Sequence, residues 1–324
     1  MESSVRELTE FRPDRPVTLT IGVFDGVHLG HQHLIREVVR RARAANRLAG
    51  VITFYPHPRL VLQPDMTPAY LTSLDDRIRL IRWLGVDRVA TLNFTRELAQ
   101  LSPVEFLDLV QSHLRVEELV VGHDFALGRN RTGTLGTLQQ LGRLRNFAVH
   151  GVGPFHVDGL TVSSTLIRQA IQEGDMAAAA RYLGRYFCLE GEVIHGDQRG
   201  RTIGFPTANL TLPPKRIQPA TGIYVTETVI DGRTYGSVTN VGYRPTVNNR
   251  GFLIEANVFD FSGDLYGKII RVDLIHRLRE EKKFGSLAEL TAQIARDAED
   301  AREFLRRRPA LNRAHGPREG DPPG

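Results

Sequence analysis

Between residues 17 and 152, short β-branched runs alternate with segments of helical period, and near residue 185 that alternation stops. Val17–Phe24 is an apolar run ending in Asp25-Gly26. From His31 onward, Leu34, Ile35, Val38, Val39 and Ala42 recur at helical spacing. Val51–Phe54, Arg88–Leu92, Glu118–Val121 and Phe147–Val152 predict further strands, and one intervening helix opens at Pro103, a favoured first helical position. Such alternation predicts an α/β fold with a parallel sheet covered on both faces. From Phe187 to Ile275 the chain reads instead as short strands punctuated by Gly, Pro, Asn and Asp, among them Gly222–Ile230, the Asp231-Gly232 turn, Tyr235–Val241 and Ile254–Phe261. Spacing and turns predict a small antiparallel β-barrel. Ser286 then opens a helix through about Arg306, with Leu287, Leu290, Ile294, Ala298 and Ala301 on one face. We therefore expect one domain over 1–184, a second over 185–308 and a disordered tail over 309–324.

The length of 324 residues suits two domains. No apolar run approaches the ~18 residues that span a membrane, and Met1 to Pro16 has no apolar core of a signal peptide. The one cysteine, Cys188, can form no intrachain disulfide, which fits a reducing cytoplasm. A pI near 9.5 invites a nucleic-acid partner. Yet of the formal net charge of +5, a surplus of three comes from Arg306, Arg307, Arg308, Arg313 and Arg318 against Glu319 and Asp321. A surplus of two over the rest is too little for a basic stripe. We expect no nucleic-acid or membrane partner, and a monomer or transient homo-oligomer.

Two places carry chemistry. After the first strand come Asp25-Gly26-Val27-His28-Leu29-Gly30-His31-Gln32. Glycines let backbone turn sharply and approach a phosphate, and a helix N-terminus offers N–H groups and a positive dipole end. His28 and His31 can reach one face of the turn and act as donors to charge building on an α-phosphate. The plain alternative is two ordinary surface or packed histidines; a metal reading with His33 and His57 ranks low, because no acidic ligand sits at a recognised spacing and His-x-x-His alone is weak. Far downstream, Ser163-Ser164-Thr165-Leu166-Ile167-Arg168 reads as a capped helix start with Arg168 in its first turn. Such a terminus plus an arginine suits a leaving pyrophosphate, although capping alone is commoner.

The second place is Gly196 through Leu210, which includes Gly200, Gly204, Phe205, Pro206, Thr207 and Asn209. No Gly-x-x-x-x-Gly-Lys-Ser/Thr loop exists; Gly263 to Lys268 has the wrong spacing and runs into Ile269. Gly-rich backbone can wrap phosphates through its N–H groups. Thr207 and Asn209 share one face of an extended segment, and two neutral oxygens suit a Mg²⁺ otherwise held by water and phosphate. For an isolated Pro-Thr-x-Asn, a Gly-rich barrel loop would be the better reading.

Taken in order, Gly22 to Gln32, Thr53-Phe54-Tyr55-Pro56-His57-Pro58, Gly122-His123-Asp124-Phe125, Gly128 and Ser163 to Arg168 resemble the prokaryotic bifunctional riboflavin kinase/FAD synthetase family. So do Gly196 to Leu210, Pro219 to Tyr224, Asn240 to Thr246, Ile254-Glu255-Ala256-Asn257, Asp264 to Gly267 and Leu278 to Phe284. The resemblance spans residues 17–305. It implies a Rossmann-like nucleotidyltransferase domain before the riboflavin-kinase barrel. It implies ATP-dependent phosphorylation of riboflavin to FMN, then adenylylation of FMN to FAD, with Mg²⁺. His28 and His31 would act on the α-phosphate, with Phe24, Asp25, Gly26, Gly30, His57, Asp124, Ser163, Ser164, Thr165 and Arg168 binding ATP or FMN. Glu255 would be the kinase base, Thr207 and Asn209 the metal ligands, and Gly196, Gly200, Gly204, Pro206 and Arg279 the kinase binding residues, Arg279 in a segment that closes on flavin and phosphate. Tyr55 stands where the family usually has Asp, Leu127 where it has Phe and Asn257 where it has His.

Overall fold

The computed structural model describes residues 7–9, 11, 13–63, 69–196, 204–245 and 250–308. They form two compact units, with the break between Ser164 and Thr165. Gly200 and the tail expected over 309–324 lie outside the described residues.

The first unit is built on five parallel strands, β1 (Val17–Ile21), β2 (Leu48–Tyr55), β3 (Arg88–Asn93), β4 (Val116–Gly122) and β5 (Ala148–Val152), in the order β3-β2-β1-β4-β5. β1 is shorter than its apolar run because the chain leaves the strand at Gly22, whose N–H still donates to Ile52 O at 3.0 Å, and Phe24 then takes φ of 52°. Helix α1 (Leu29–Ala44) buries Ile35, Val38 and Ala42, the stripe its helical spacing predicts. Val38 and Ala42 pack with Ala49 of β2 and Val120 of β4. Leu19, Ile21 and Val121 join a separate cluster with Phe106, Leu107 and Val110 of α3 (Pro103–Gln111). α3 starts where Pro103 predicts because Ser102 and Glu105 form a capping box. Between them in sequence, α2 (Leu74–Trp83) is capped by the Ser73 side chain. From β1 the chain crosses over outward on one side through β2 and β3, then returns past β1 to β4 on the other side and continues to β5. The crevice outside the carboxyl ends of β1 and β4 is therefore the topological switch point, where open α/β sheets bind ligands.

α4 (Ser164–Glu173) belongs to the second unit from Thr165 onward and is followed by α5 (Met176–Leu183), which ends on Gly184 with φ of 71°. That left-handed C-cap favours glycine. β6 (Phe187–Ile194), β7 (Ala208–Thr211), β8 (Gly222–Ile230), β9 (Arg233–Pro245), β10 (Arg250–Val258) and β11 (Ile269–Arg279) close into an antiparallel barrel in the order β6-β7-β10-β9-β8-β11. Asp231 and Gly232, with φ of 48° and 77°, make the tight β8–β9 hairpin. One face of this hairpin carries hydroxyls that satisfy one another: Thr226 Oγ1 lies 2.7 Å from both Ser237 Oγ and Thr239 Oγ1, and Thr228 Oγ1 lies 2.8 Å from Ser237 Oγ. On the other, Val225 and Val238 pack with Ala298 and Ala301 of α6 (Leu287–Arg307). Leu287, expected on the buried face of α6, is 65% exposed. Buried contact is confined to the later turns, at Asp297, Ala298 and Ala301.

Candidate active sites

In the first unit the turn from β1 into α1 departs from ordinary backbone. Phe24, Gly26 and Val27 have φ of 52°, 83° and 39°. The value at β-branched Val27 marks real strain, of the kind surrounding structure must enforce. The enforcement is visible. Thr53 Oγ1 donates to Val23 O at 2.9 Å. The Asp25 carboxylate accepts from Leu71 N at 3.0 Å and Thr72 N at 3.2 Å, and Gly26 N donates to Thr72 Oγ1 at 3.1 Å. Arg77 Nη2 stands 3.8 Å from Asp25 Oδ1, both side chains fully buried. Arg77 Nη1 also donates to Phe54 O at 3.1 Å. Asp25 thus acts through its carboxylate as a clasp on the 70–73 segment.

The clasped turn delivers His28 to the N-cap of α1, where Nδ1 accepts from His31 N at 3.3 Å. The two imidazoles stack with centroids 3.6 Å apart and planes within 18°, and Phe24 meets His31 edge-on at 5.3 Å. A Cβ at Gly30 would lie 3.1 Å from the His28 ring, so glycine there lets backbone and imidazole share the space. With Nδ1 accepting, Nε2 carries the proton in the neutral tautomer of His28. Ser164 Oγ donates to Asp25 O at 3.0 Å, tying the downstream motif to the same turn. Ser163 immediately precedes α4; Thr165 and Arg168 are the second and fifth residues of that helix and belong to the second unit. Arg168 therefore stands one position beyond the first turn in which its sequence placed it.

His57 lies past the carboxyl end of β2, with its N–H donating to Tyr70 Oη at 2.7 Å and Nδ1 accepting from Arg59 N at 3.1 Å. Burial raises the Tyr70 phenol above its ordinary range. Asp124 follows β4, on the other side of β1 from β2, and its side chain is 85% exposed. Leu127 is buried in the core around Phe106, so its replacement of an aromatic residue is a packing change. Tyr70, Thr72 and Arg77 were not singled out from sequence. Arg77 did carry a signal: it stands three residues before Leu80 and four before Ile81, on the buried stripe of α2.

In the barrel, Glu255 on β10 pairs in register with Asn209 on β7 and with Asn240 on β9. Asn240 Nδ2 donates to Glu255 Oε2 at 3.5 Å. A Cβ at Gly196 would fall 2.5 Å from Asn209 Nδ2 and 2.7 Å from Oδ1, so only glycine lets the chain lie on that amide. Asn209 is 7% exposed, and its buried Oδ1 accepts no hydrogen bond among the described residues. Asn257 Nδ2 donates to Pro206 O at 2.7 Å, so this departure from the family pattern anchors the segment carrying Thr207. Gly204, with φ of 85°, has open space where a side chain would stand. Arg279 forms a two-pronged pair with the buried Asp297 of α6, at 2.9 and 2.6 Å. Glu281 and Asn240 lie within motifs of the family resemblance that assign them no role. The Glu281 carboxylate rests against Gly242, and its pKa is raised by burial and then by the Glu255 charge.

With that geometry in hand, family models match two stretches: FAD synthetase over residues 11–166 and riboflavin kinase over residues 183–305. The bifunctional riboflavin kinase/FMN adenylyltransferase of Escherichia coli K12 is 40% identical over 295 residues, which cover 90% of this chain and 94% of that protein. The protein of the same description from Bacillus subtilis 168 is 39% identical over 297 residues, covering 89% and 92%. Among solved structures, that of the macrolide-efflux protein from Streptococcus pneumoniae superposes with a TM-score of 0.85 at 31% identity, covering 93% of this chain and 97% of that one.

Proposed function

The chain belongs to the bifunctional riboflavin kinase/FMN adenylyltransferase family, which makes FMN from riboflavin and FAD from FMN with ATP, and from that premise we propose which of its residues carry each reaction. Residues 1–184 hold the adenylylation residues and 185–308 the kinase residues. In adenylylation the FMN phosphate attacks the α-phosphate of ATP and pyrophosphate leaves. His28, through Nε2, and His31 stabilise the charge that builds on the α-phosphate. Phe24, Gly26 and Gly30 shape the turn against the nucleotide, Asp25 holds that turn in place, and His57 and Asp124 border the pocket. Ser163, Ser164, Thr165 and Arg168 hold the triphosphate. The observation that carries this reading is the stacked His28–His31 pair on a strained turn at the switch point of the sheet.

In the kinase reaction, Glu255 accepts the proton of the riboflavin ribityl hydroxyl as it attacks the γ-phosphate. Gly196, Gly200, Gly204 and Pro206 line the phosphates and Arg279 closes on them. Mg²⁺ fits the residues present: the buried Asn209 Oδ1 is an acceptor without a partner among the described residues, and Thr207 supplies a second neutral oxygen two residues away. Thr207 and Asn209 would hold the ion, which supplies charge neutralisation on the transferring phosphate. We place the protein in the cytoplasm, as a monomer or transient homo-oligomer acting on small molecules rather than on nucleic acid or membrane. The lone Cys188 supports the cytoplasmic placement, and the concentration of positive charge at the C-terminus supports a small-molecule rather than a nucleic-acid partner. Incubation with riboflavin, ATP and Mg²⁺, with FMN and FAD separated over time, tests both halves. FMN and then FAD should accumulate, and chelation of Mg²⁺ should stop FMN formation.

A further inference from the structure

Tyr55 is the last residue of β2 and 44% exposed. A single exposed aromatic is ordinary; what sets this one apart is how it is backed. Its ring lies on that of Tyr70, with centroids 5.7 Å apart and planes within 29°. Tyr70 is 5% exposed, and its hydroxyl accepts the His57 N–H. The buried Arg77 guanidinium in turn sits 5.7 Å from the Tyr70 ring centroid. The backbone is fixed as well, since Tyr55 O accepts from Phe94 N at 3.3 Å. One face of the Tyr55 ring is thus covered by a rigid stack, while a large part of the side chain remains open to solvent.

The stack is also tied to the turn that carries His28 and His31. Side chains alternate along a strand, so Tyr55 shares a sheet face with Val51 and Thr53. Val51 packs against Phe24 and Val27 of the strained turn, and the Thr53 hydroxyl bonds Val23 O. Phe54 points the other way, into the cluster with Phe94 and Phe106. Tyr70 immediately precedes the Leu71-Thr72 pair that Asp25 clasps. Tyr55 and the His28–His31 pair are therefore held by the same local framework at the carboxyl edge of the sheet.

We infer that Tyr55, backed by Tyr70, is a stacking platform for a planar heterocycle in the adenylylation site. Both substrates of that reaction end in one, the isoalloxazine of FMN and the adenine of ATP, and either offers a π-face to the ring. The inference rests on the functional reading above and adds a specificity residue to it, at a position where this chain differs from the family's usual Asp.

Steady-state FAD formation from FMN by the full-length protein tests it, with each substrate varied in turn. Tyr55→Leu should raise KM for one substrate about threefold to tenfold, the range expected for one aromatic stack, while kcat stays within about twofold. Tyr55→Phe should behave as the unsubstituted protein. A rise in the KM of FMN assigns the platform to isoalloxazine, and a rise in that of ATP assigns it to adenine. Unchanged KM values for both, a loss confined to kcat, or a Phe variant as impaired as the Leu variant would each overturn the inference. Tyr55→Gln, polar at an exposed position, gives the same comparison if the Leu variant is poorly soluble. If the unsubstituted protein made no FAD from FMN, the functional reading itself would fail; FAD made with unaltered KM values removes only the platform.

Discussion

The Nδ1 of His28 is committed to the cap of α1, and the stacked His31 ring limits the freedom of the imidazole to turn. Its proposed role is to stabilise charge on the α-phosphate. His28→Ala should therefore cost adenylylation ~10²–10³ in rate, the usual effect of removing one charge-stabilising donor, while riboflavin is still converted to FMN. FMN accumulating without FAD is the expected chromatogram; FAD formed at the normal rate would make the histidine a helix cap only. Glu255 is bounded differently. Its strand neighbours in register are two amides, Asn209 and Asn240, and its proposed role is to take the hydroxyl proton beside the oxygens assigned to Mg²⁺. Glu255→Gln preserves size and the Asn240 contact but removes the base, and FMN formation should fall by ~10²–10⁴. Supplied with FMN, the same variant should make FAD normally. If it phosphorylates riboflavin at the usual rate, Glu255 is not the base.

Elements matter because a turn strained at Phe24 and Val27 cannot hold itself. The Asp25–Arg77 pair joins it to α2 from within a fully buried setting, and breaking such a pair from one side typically costs ~3–5 kcal/mol because a buried charge is left behind. Asp25→Ala should therefore lower the denaturant stability of the first unit by about that amount and abolish FAD formation, with riboflavin phosphorylation the more resistant activity. A loss under about 1 kcal/mol, the value of an exposed pair, would show that the clasp is not needed. The sheet, the barrel, the Pro103 helix start and the Asp231-Gly232 hairpin were legible in sequence, because periodicity and turn chemistry are local. The Asp25–Arg77 clasp was not legible as a pair: its partners are 52 residues apart, and its only local trace is an arginine on an apolar stripe. The hydroxyl-satisfied face of the β8–β9 hairpin was equally hidden. Thr226, Thr228, Ser237 and Thr239 carry no local signal of it, because only strand pairing brings their hydroxyls together. Likewise Leu287 fits the spacing of α6, but the barrel reaches only the later turns of the helix.

At the scale of the whole molecule, the functional division proposed at Gly184 and the packing division at Ser164/Thr165 do not coincide. The difference is α4 and α5. α5 packs on β11 and β6, and its Met176, Ala179, Tyr182 and Leu183 are each no more than 6% exposed. Ahead of it, Ala220 N donates to Ile171 O at 3.2 Å, and Arg277 stands so close to Gly174 that a Cβ there would lie 2.6 Å from its Cδ. A kinase fragment cut at residue 185 keeps Gly196, Asn209 and Glu255 but uncovers the barrel surface that α5 occupies. Burying a large apolar side chain contributes ~1.5–3 kcal/mol, so losing Met176, Tyr182 and Leu183 together would consume a large part of the ~5–15 kcal/mol by which a domain is usually stable. We therefore expect residues 165–308 to fold alone and phosphorylate riboflavin, and residues 185–308 to melt at markedly lower temperature or fail to stay soluble. Thermal unfolding of the two fragments, with FMN formation assayed well below either transition, makes the comparison. Equal melting temperatures would mean that α4 and α5 lie on the barrel without holding it. A stable but inactive longer fragment would mean instead that the kinase centre needs residues from the first unit.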